Sequence, residues 1–318
     1  MVAPDLRTEL ESFWPGPVEY GQPLAELTTL RVGGPAEAVI APASRGELAN
    51  LIEGLNRRGI TWRVIGRGSN ILVADRGIAG AVIVLGRKFS RIERLAAVGG
   101  RQLLRAEAGC SLTRLLNWCG REELTGLEFL AGIPGSLGGA VRMNAGAWGD
   151  ELGRHVEAVE MLTAAGEFHT LPRSEMSFTY RSWSGKREEV VVAATLVLNP
   201  GSRAEINGRC RALAAQRRAK QPRGVASAGS FFRNPPGQVA GRLIEEAGLK
   251  GFSAGGAEVS RKHANFLINR GGATAADFLA LMSTVQEAVR QRTGVRLEPE
   301  VELLGEWDGV LETTRDDG

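Results

Sequence analysis

The chain has 318 residues, 43% of them apolar, and its 39 basic and 36 acidic side chains leave a net charge of only +3. That length suits about two domains, and the interleaved charges, as in Arg121-Glu122-Glu123, argue against a nucleic-acid binder with a basic face. Three cysteines (Cys110, Cys119, Cys210) fit neither a disulfide framework nor a zinc spacing, and three scattered histidines (His155, His169, His263) exclude the usual His-based metal cluster.

The first residues, with Asp5, Arg7, Glu9 and Glu11, carry no apolar leader core. A strand is expected over 37–41. A helix follows over 47–58, with Leu48, Leu51, Ile52 and Leu55 on one face. Strands are expected at 61–65 and 81–85, the second apolar enough for burial on both faces, and at 101–108. Ser111 reads as the cap of a helix burying Leu112, Leu115, Leu116 and Cys119. The stretches 156–162, 167–171 and 189–198 read as strands. The longest apolar run, Val190 to Leu198, is far short of the roughly 20 residues of a membrane helix.

Composition shifts at Asn199-Pro200-Gly201. Beyond it come a helix over 203–219, a Gly/Ser/Pro stretch over 221–237 and a helix over about 238–247. A long helix capped by Thr274 follows, then a strand over 295–304 in which Pro299 demands an edge or a bulge. The pattern is α+β, with a larger N-terminal and a smaller C-terminal lobe.

Two glycine-rich loops stand out. Gly66-Arg67-Gly68-Ser69-Asn70 follows a strand and can aim backbone N–H groups at a phosphate. It is not the Rossmann fingerprint, because Ile71 stands where the third glycine belongs. The second loop runs from Gly132-Ile133-Pro134-Gly135-Ser136-Leu137-Gly138-Gly139 to Asn144-Ala145-Gly146-Ala147-Trp148-Gly149. So many glycines suit a backbone packed against a flat ligand. Together the loops indicate a non-Rossmann dinucleotide site, which FAD fits.

On these loops the sequence resembles the UDP-N-acetylenolpyruvoylglucosamine reductases. The resemblance extends to Thr28-Thr29-Leu30-Arg31-Val32-Gly33-Gly34, Gly126-Leu127-Glu128-Phe129, Gly229-Ser230-Phe231-Phe232-Arg233-Asn234-Pro235 and Leu297-Glu298-Pro299-Glu300-Val301. The first loops alone would point only to the wider flavin enzymes related to vanillyl-alcohol oxidase. The resemblance implies a two-part FAD-binding lobe of that type (1–200), a smaller α+β substrate-binding domain (201–294), and a C-terminal strand and tail (295–318) carrying a catalytic glutamate. It implies reduction of UDP-N-acetylglucosamine enolpyruvate to UDP-N-acetylmuramate in peptidoglycan precursor synthesis. NADPH would be the hydride donor and FAD a non-covalent cofactor.

By the same resemblance Ser230 is the proton donor, and Arg181 and Glu300 are its catalytic partners. A fixed guanidinium suits the charge that develops on the substrate carboxylate; Glu300 suits an anionic intermediate only if it is protonated or shares a proton. Arg31, Gly66, Gly68, Ser69, Asn70, Gly132, Ile133, Gly135, Ser136, Gly138, Gly139, Asn144, Ala145 and Gly146 match cofactor positions. Lys220, Asn234 and Tyr180 match substrate positions. The sequence departs from the family pattern at Trp183, where a serine is common, and at Trp148, where a tyrosine is common. The interval from Arg181 to Lys220 has no room for a long lid, and neither tyrosine of the chain, Tyr20 or Tyr180, lies within it. That places the chain in a short subclass. The expectation is a monomeric cytoplasmic enzyme without nucleic-acid or membrane partners. Two readings compete: an oxidase on the same flavin fold, and a phosphate- or RNA-binding module built on Arg209, Arg211, Arg217 and Arg218.

Overall fold

The computed structural model describes residues 5–307. Among them, 5–18, 40–67 and 83–219 form one compact unit, and 19–39, 68–82 and 220–307 form another. Each unit is therefore discontinuous in sequence, whereas the expected division ran in three consecutive segments.

The first unit is organised by an antiparallel sheet in the order Phe168–Pro172, Val156–Leu162, Val190–Pro200, Arg101–Glu107, Ile92–Val98. The run Val190-Val191-Val192-Ala193-Ala194 is buried throughout, which its unbroken apolar sequence requires of a central strand. Leu124–Thr125 pairs with the far end of this strand, at Pro200 and Asn199. The helix Arg45–Arg57 is capped by Ser44, whose hydroxyl accepts the Glu47 N–H, and it buries Leu48, Leu51, Ile52 and Leu55 completely. Ser111 caps the helix Leu112–Arg121 in the same way. Burial pushes the Cys110 and Cys119 thiols up to about 11 and about 12, so neither is a reactive thiolate.

The second unit packs a sheet in the order Ala226–Ser230, Phe266–Asn269, Ala257–Val259, Ser253–Ala254 with the helix Ala275–Thr293. Thr274 and Asp277 close a capping box at the start of that helix, and Gly294 ends it at φ +74°. The core gathers Phe231, Phe232, Phe278, Leu281, Met282, Val285 and Val289.

Two expectations are corrected here. Only Glu302–Leu304 of the stretch 295–304 is a strand, pairing in parallel with Ile71–Val73. Pro299 has no N–H to give a ladder and makes an isolated bridge with Phe232. The Gly/Ser/Pro stretch 221–237 holds the strand Ala226–Ser230, paired to Phe266–Asn269. The α+β class itself holds.

Candidate active site

In the second unit, Ser230 ends the strand Ala226–Ser230 opposite Phe266, just past a bulge that places Gly229 at φ +82°. The chain beyond it is held on two sides. Asn265 accepts the Phe232 N–H at 3.0 Å and donates to the Phe232 carbonyl at 2.8 Å. On the other side the Glu300 N–H donates to the Phe231 carbonyl at 2.8 Å and the Arg233 N–H to the Glu298 carbonyl at 2.9 Å. This short ladder brings Glu300 beside the Ser230 turn, so two of the three expected catalytic residues are neighbours through backbone pairing.

Asn70 contributes to the same arrangement. Its amide donates to the Glu300 carbonyl at 2.9 Å, and its carbonyl accepts the Glu302 N–H at 2.9 Å. Asn70 was expected to touch the cofactor; its amide here positions the backbone of Glu300. Thr29 ties the Ser230 strand from below, donating its hydroxyl to the Ser227 carbonyl at 2.8 Å.

Arg181 belongs to the first unit. It occupies the second tip position of a hairpin whose strands pair Phe178 with Trp183 and Thr179 with Ser182. Its φ of +56° is left-handed, a conformation a long side chain holds only when its surroundings enforce it. The enforcing contacts are visible. Asn144, 1% exposed and itself at φ +43°, donates to the Thr179 carbonyl at 2.8 Å and accepts the Gly153 N–H at 2.8 Å. The Arg181 guanidinium donates to the Gly146 carbonyl at 3.0 Å. Trp183 stacks on Phe178 at 5.9 Å, and the Arg142 guanidinium lies 5.3 Å from the Trp183 ring. Trp183, where the family pattern has a serine, thus packs across the hairpin against its pairing partner Phe178. Tyr180 sits at the tip, 48% exposed, with the Arg181 guanidinium 5.3 Å from its ring centroid.

The glycines divide by cause. In the first unit a Cβ on Gly66 would overlap the Ser136 hydroxyl, so the two glycine-rich loops meet there. Ser136 is buried, and its side chain makes no capping bond to the short helix Leu137–Arg142. Gly132 and Gly135 have φ of +77° and +146°; Ile133 is held by its N–H to the Leu130 carbonyl. A Cβ on Gly132 would stand 3.1 Å from the Arg217 Cδ. Gly139 keeps an open side, with the Ser136 hydroxyl 3.6 Å from its Cβ position.

Other positions in the loops serve the protein itself. Gly138 lies inside the helix, where a Cβ would be 2.8 Å from that of Ala108. The N–H groups of Leu137 and Gly138 donate to the Cys110 and Ala108 carbonyls, both at 2.8 Å. Ala145 is buried, and a Cβ on Gly146 would stand 2.7 Å from the Asp150 carbonyl oxygen. In the second unit a side chain on Gly68 would overlap the Leu27 carbonyl. Ser69 lies in the same turn, half-buried, and Arg31 is exposed at φ +55°.

The donor set fits a flavin dinucleotide. The first unit offers a backbone cradle that side chains would fill at Gly66, beside the uncapped hydroxyl of Ser136. It also offers a buried guanidinium nitrogen, Nε of Arg217, that no protein group satisfies. Of the expected substrate residues, Lys220 closes the exposed end of the helix Arg203–Lys220. Asn234 accepts the Ala240 N–H at 3.0 Å at the start of the helix Ala240–Glu246. A surface cavity of about 330 Å³ lined by Gly21, Glu37, Arg76 and Glu306 contains none of the expected site residues. Its Glu37 carboxylate already accepts the Gly80 N–H. No pattern in the sequence points to Asn265, whose bonds join segments far apart in the chain, or to Arg217 as a seated side chain.

The family profile described as "FAD binding domain" matches residues 36–172. The one described as "UDP-N-acetylenolpyruvoylglucosamine reductase, C-terminal domain" matches residues 221–304. The UDP-N-acetylenolpyruvoylglucosamine reductase of Heliobacterium modesticaldum is 45% identical, covering 92% of this chain and 92% of the relative. That of Caldanaerobacter subterraneus subsp. tengcongensis is 43% identical over 92% of this chain and 95% of the relative. The crystal structure of the reductase (MurB) from Thermus caldophilus superposes with a TM-score of 0.76 at 38% identity, covering 90% of this chain and 98% of that one. The chain belongs to the UDP-N-acetylenolpyruvoylglucosamine reductase family and is an FAD-dependent oxidoreductase of α+β fold.

Proposed function

We propose that the chain reduces UDP-N-acetylglucosamine enolpyruvate to UDP-N-acetylmuramate, with NADPH as the reductant and Ser230 as the proton donor. FAD, when bound, supplies the hydride relay between the two. The observation that carries the residue roles is the ladder that fixes Glu300 beside the Ser230 turn. The hydroxyl of Ser230 gives its proton to the carbon next to the carboxylate after hydride arrives at the vinyl carbon. Arg181, held in its left-handed turn, binds that carboxylate and stabilises its growing charge. Glu300 shares the proton inventory of the serine. Gly66, Gly132, Gly135, Ser136 and Gly139 line the cofactor, with Arg31 and Ser69 at its phosphates. Lys220, Asn234 and Tyr180 bind the UDP part.

The short subclass is part of this reading. Between Arg181 and Lys220 the elements are Ser182–Trp183, Val190–Pro200 and Arg203–Lys220, which leaves only short connections for any lid. Among the described residues no helix is long and apolar enough to cross a membrane; a monomer in the cytoplasm is the corresponding proposal. The division into a cofactor lobe (1–200), a substrate domain (201–294) and a catalytic tail (295–318) is retained as a statement about ligands rather than packing. Anaerobic stopped-flow tests the whole. NADPH should bleach the yellow protein, and the enolpyruvyl sugar should restore the colour. Bleaching by NADPH with re-oxidation by oxygen but not by the sugar would favour an oxidase.

A further inference from the structure

Arg142 ends the short helix Leu137–Arg142, which leads out of the second glycine-rich loop. Its Nη1 donates to the carbonyls of Gly185 at 3.1 Å and Lys186 at 2.6 Å, and its Nη2 to the carbonyl of Glu189. Three main-chain groups of one segment, 185–189, are thus gathered on a single side chain. A planar fork of N–H donors can address them together; an ammonium group of the same charge cannot reproduce that geometry.

The segment joins the hairpin that carries Arg181 to the central strand Val190–Pro200. The hairpin strands Phe178–Thr179 and Ser182–Trp183 have two residues each, and so small a hairpin is marginal without outside support. Its pairing continues one step, with the Ser184 N–H on the Ser177 carbonyl at 3.0 Å and the Ser177 N–H on the Ser184 hydroxyl at 2.9 Å. Next comes Gly185, where a Cβ would overlap the Trp183 indole, so its bare backbone lies against that ring. The Arg142 guanidinium is 5.3 Å from the same ring, within the range of a cation–π attraction. Two residues beyond Arg142, Asn144 grips the other strand at the Thr179 carbonyl. The stretch 142–144 therefore holds the hairpin on both sides, Asn144 at its entry and Arg142 at its exit.

We propose that Arg142 is a positioning residue: by clamping 185–189 beside Trp183 it sets the tilt of the hairpin and keeps the Arg181 guanidinium where it receives the substrate carboxylate. This rests on the role given to Arg181 above.

The test is a double-mutant cycle of Arg142→Met and Arg181→Lys, read by anaerobic single turnover of the FAD-loaded enzyme. Arg142→Met alone should slow re-oxidation by the enolpyruvyl sugar by about 10–10², the scale of a misplaced catalytic group, and leave bleaching by NADPH unchanged. Added to Arg181→Lys it should slow re-oxidation no further, because both losses run through one guanidinium. Arg142→Lys should recover only part of the rate. Tryptic cleavage after Lys186 and Arg187, both exposed, should quicken about tenfold in Arg142→Met, because the segment opens locally once its charged donor is gone. Equal slowing of the two half-reactions, or losses that add in the double variant, would make Arg142 merely structural and overturn the proposal. Unchanged cleavage would overturn it as well. Should Arg142→Met fail to fold, Arg142→Lys carries the same cycle. Near-normal turnover in Arg181→Lys alone would instead sink the reading of Arg181, and the proposal with it.

Discussion

Ser230 and Arg181 are presented by opposite strategies. Around Ser230 the protein uses main chain: Glu300, Phe231, Arg233 and Glu298 pair as a ladder, and Asn265 and Asn70 only reinforce it. Around Arg181 it uses side chains: Asn144 grips the hairpin, Trp183 and Phe178 stack beneath it, and two residues accept left-handed φ values. A ladder tolerates changes of side chain because its bonds belong to the backbone. A hairpin gripped by one buried amide does not. The role proposed for Ser230 should therefore be lost only by removing its own hydroxyl, whereas Arg181 can be displaced from a distance.

The largest expected effect tests the first half of that contrast. Ser230→Ala should fold, bind FAD and be bleached by NADPH at the normal rate. Its re-oxidation by the sugar should fall by about 10²–10⁴, the range for general acid help. Single-turnover absorbance of the flavin reads both steps, and equal slowing of the two would remove Ser230 from the donor role.

Next comes Arg181→Lys, which keeps the charge and loses the planar fork. Turnover should drop by about 10²–10³, the loss typical of one fixed donor to a developing charge, with little change in FAD affinity. Near-normal turnover would put Arg181 outside the reacting centre.

The third prediction sharpens the comparison directly. Asn144→Ala leaves the Thr179 carbonyl and the Gly153 N–H without their partner in a buried place, and should cost about 2–3 kcal/mol. It should also lower turnover more than Asn70→Ala, whose neighbours keep the Glu300 ladder. Denaturant melts and steady-state rates of the two variants decide this; a larger turnover loss in Asn70→Ala would reverse the contrast.

The legibility of these two regions in the sequence follows the same physics. Helices with an apolar face and a capping serine or threonine, such as Arg45–Arg57 and Ala275–Thr293, are local objects and could be placed from spacing alone. The identities of Ser230, Arg181 and Glu300 came from motif resemblance, and their roles remain proposals. What the sequence hid was partnership at long range. The strand Ala226–Ser230 is rich in serine and glycine and shows no alternation, so only its pairing with Phe266–Asn269 defines it. Asn144 and Asn70 stood in motifs associated with the cofactor, and their bonds to the Thr179 and Glu300 carbonyls could not be read from those motifs. Gly138 and Gly146 read as ligand glycines, and the structure adds a packing reason for each that the sequence does not show, the neighbouring atoms of Ala108 and Asp150.

The smallest effect concerns how firmly the Ser230 turn is anchored. Phe231 stacks on Phe278 at 5.6 Å, and Phe278 follows Asp277 in the first turn of the helix Ala275–Thr293. The Asp277 carboxylate accepts the N–H groups of Thr274 at 3.0 Å and Gly256 at 3.1 Å. Those bonds, the Thr274 N–H first, hold its carboxyl below the ordinary value. Because the folded protein binds this proton more weakly than the unfolded chain, the stabilisation is present in full above the unfolded value, about 3.9, and disappears as pH falls through the folded one. Asp277→Ala should therefore cost about 1 kcal/mol at neutral pH, the usual worth of a helix cap. The difference in melting temperature from the unaltered protein should shrink steadily once the pH drops below about 4. A gap that stays constant down to strongly acidic pH would mean that Asp277 acts through packing rather than charge. The tie between the start of this helix and the Ser230 turn would then rest on the Phe231–Phe278 stack, beside the main-chain ladder.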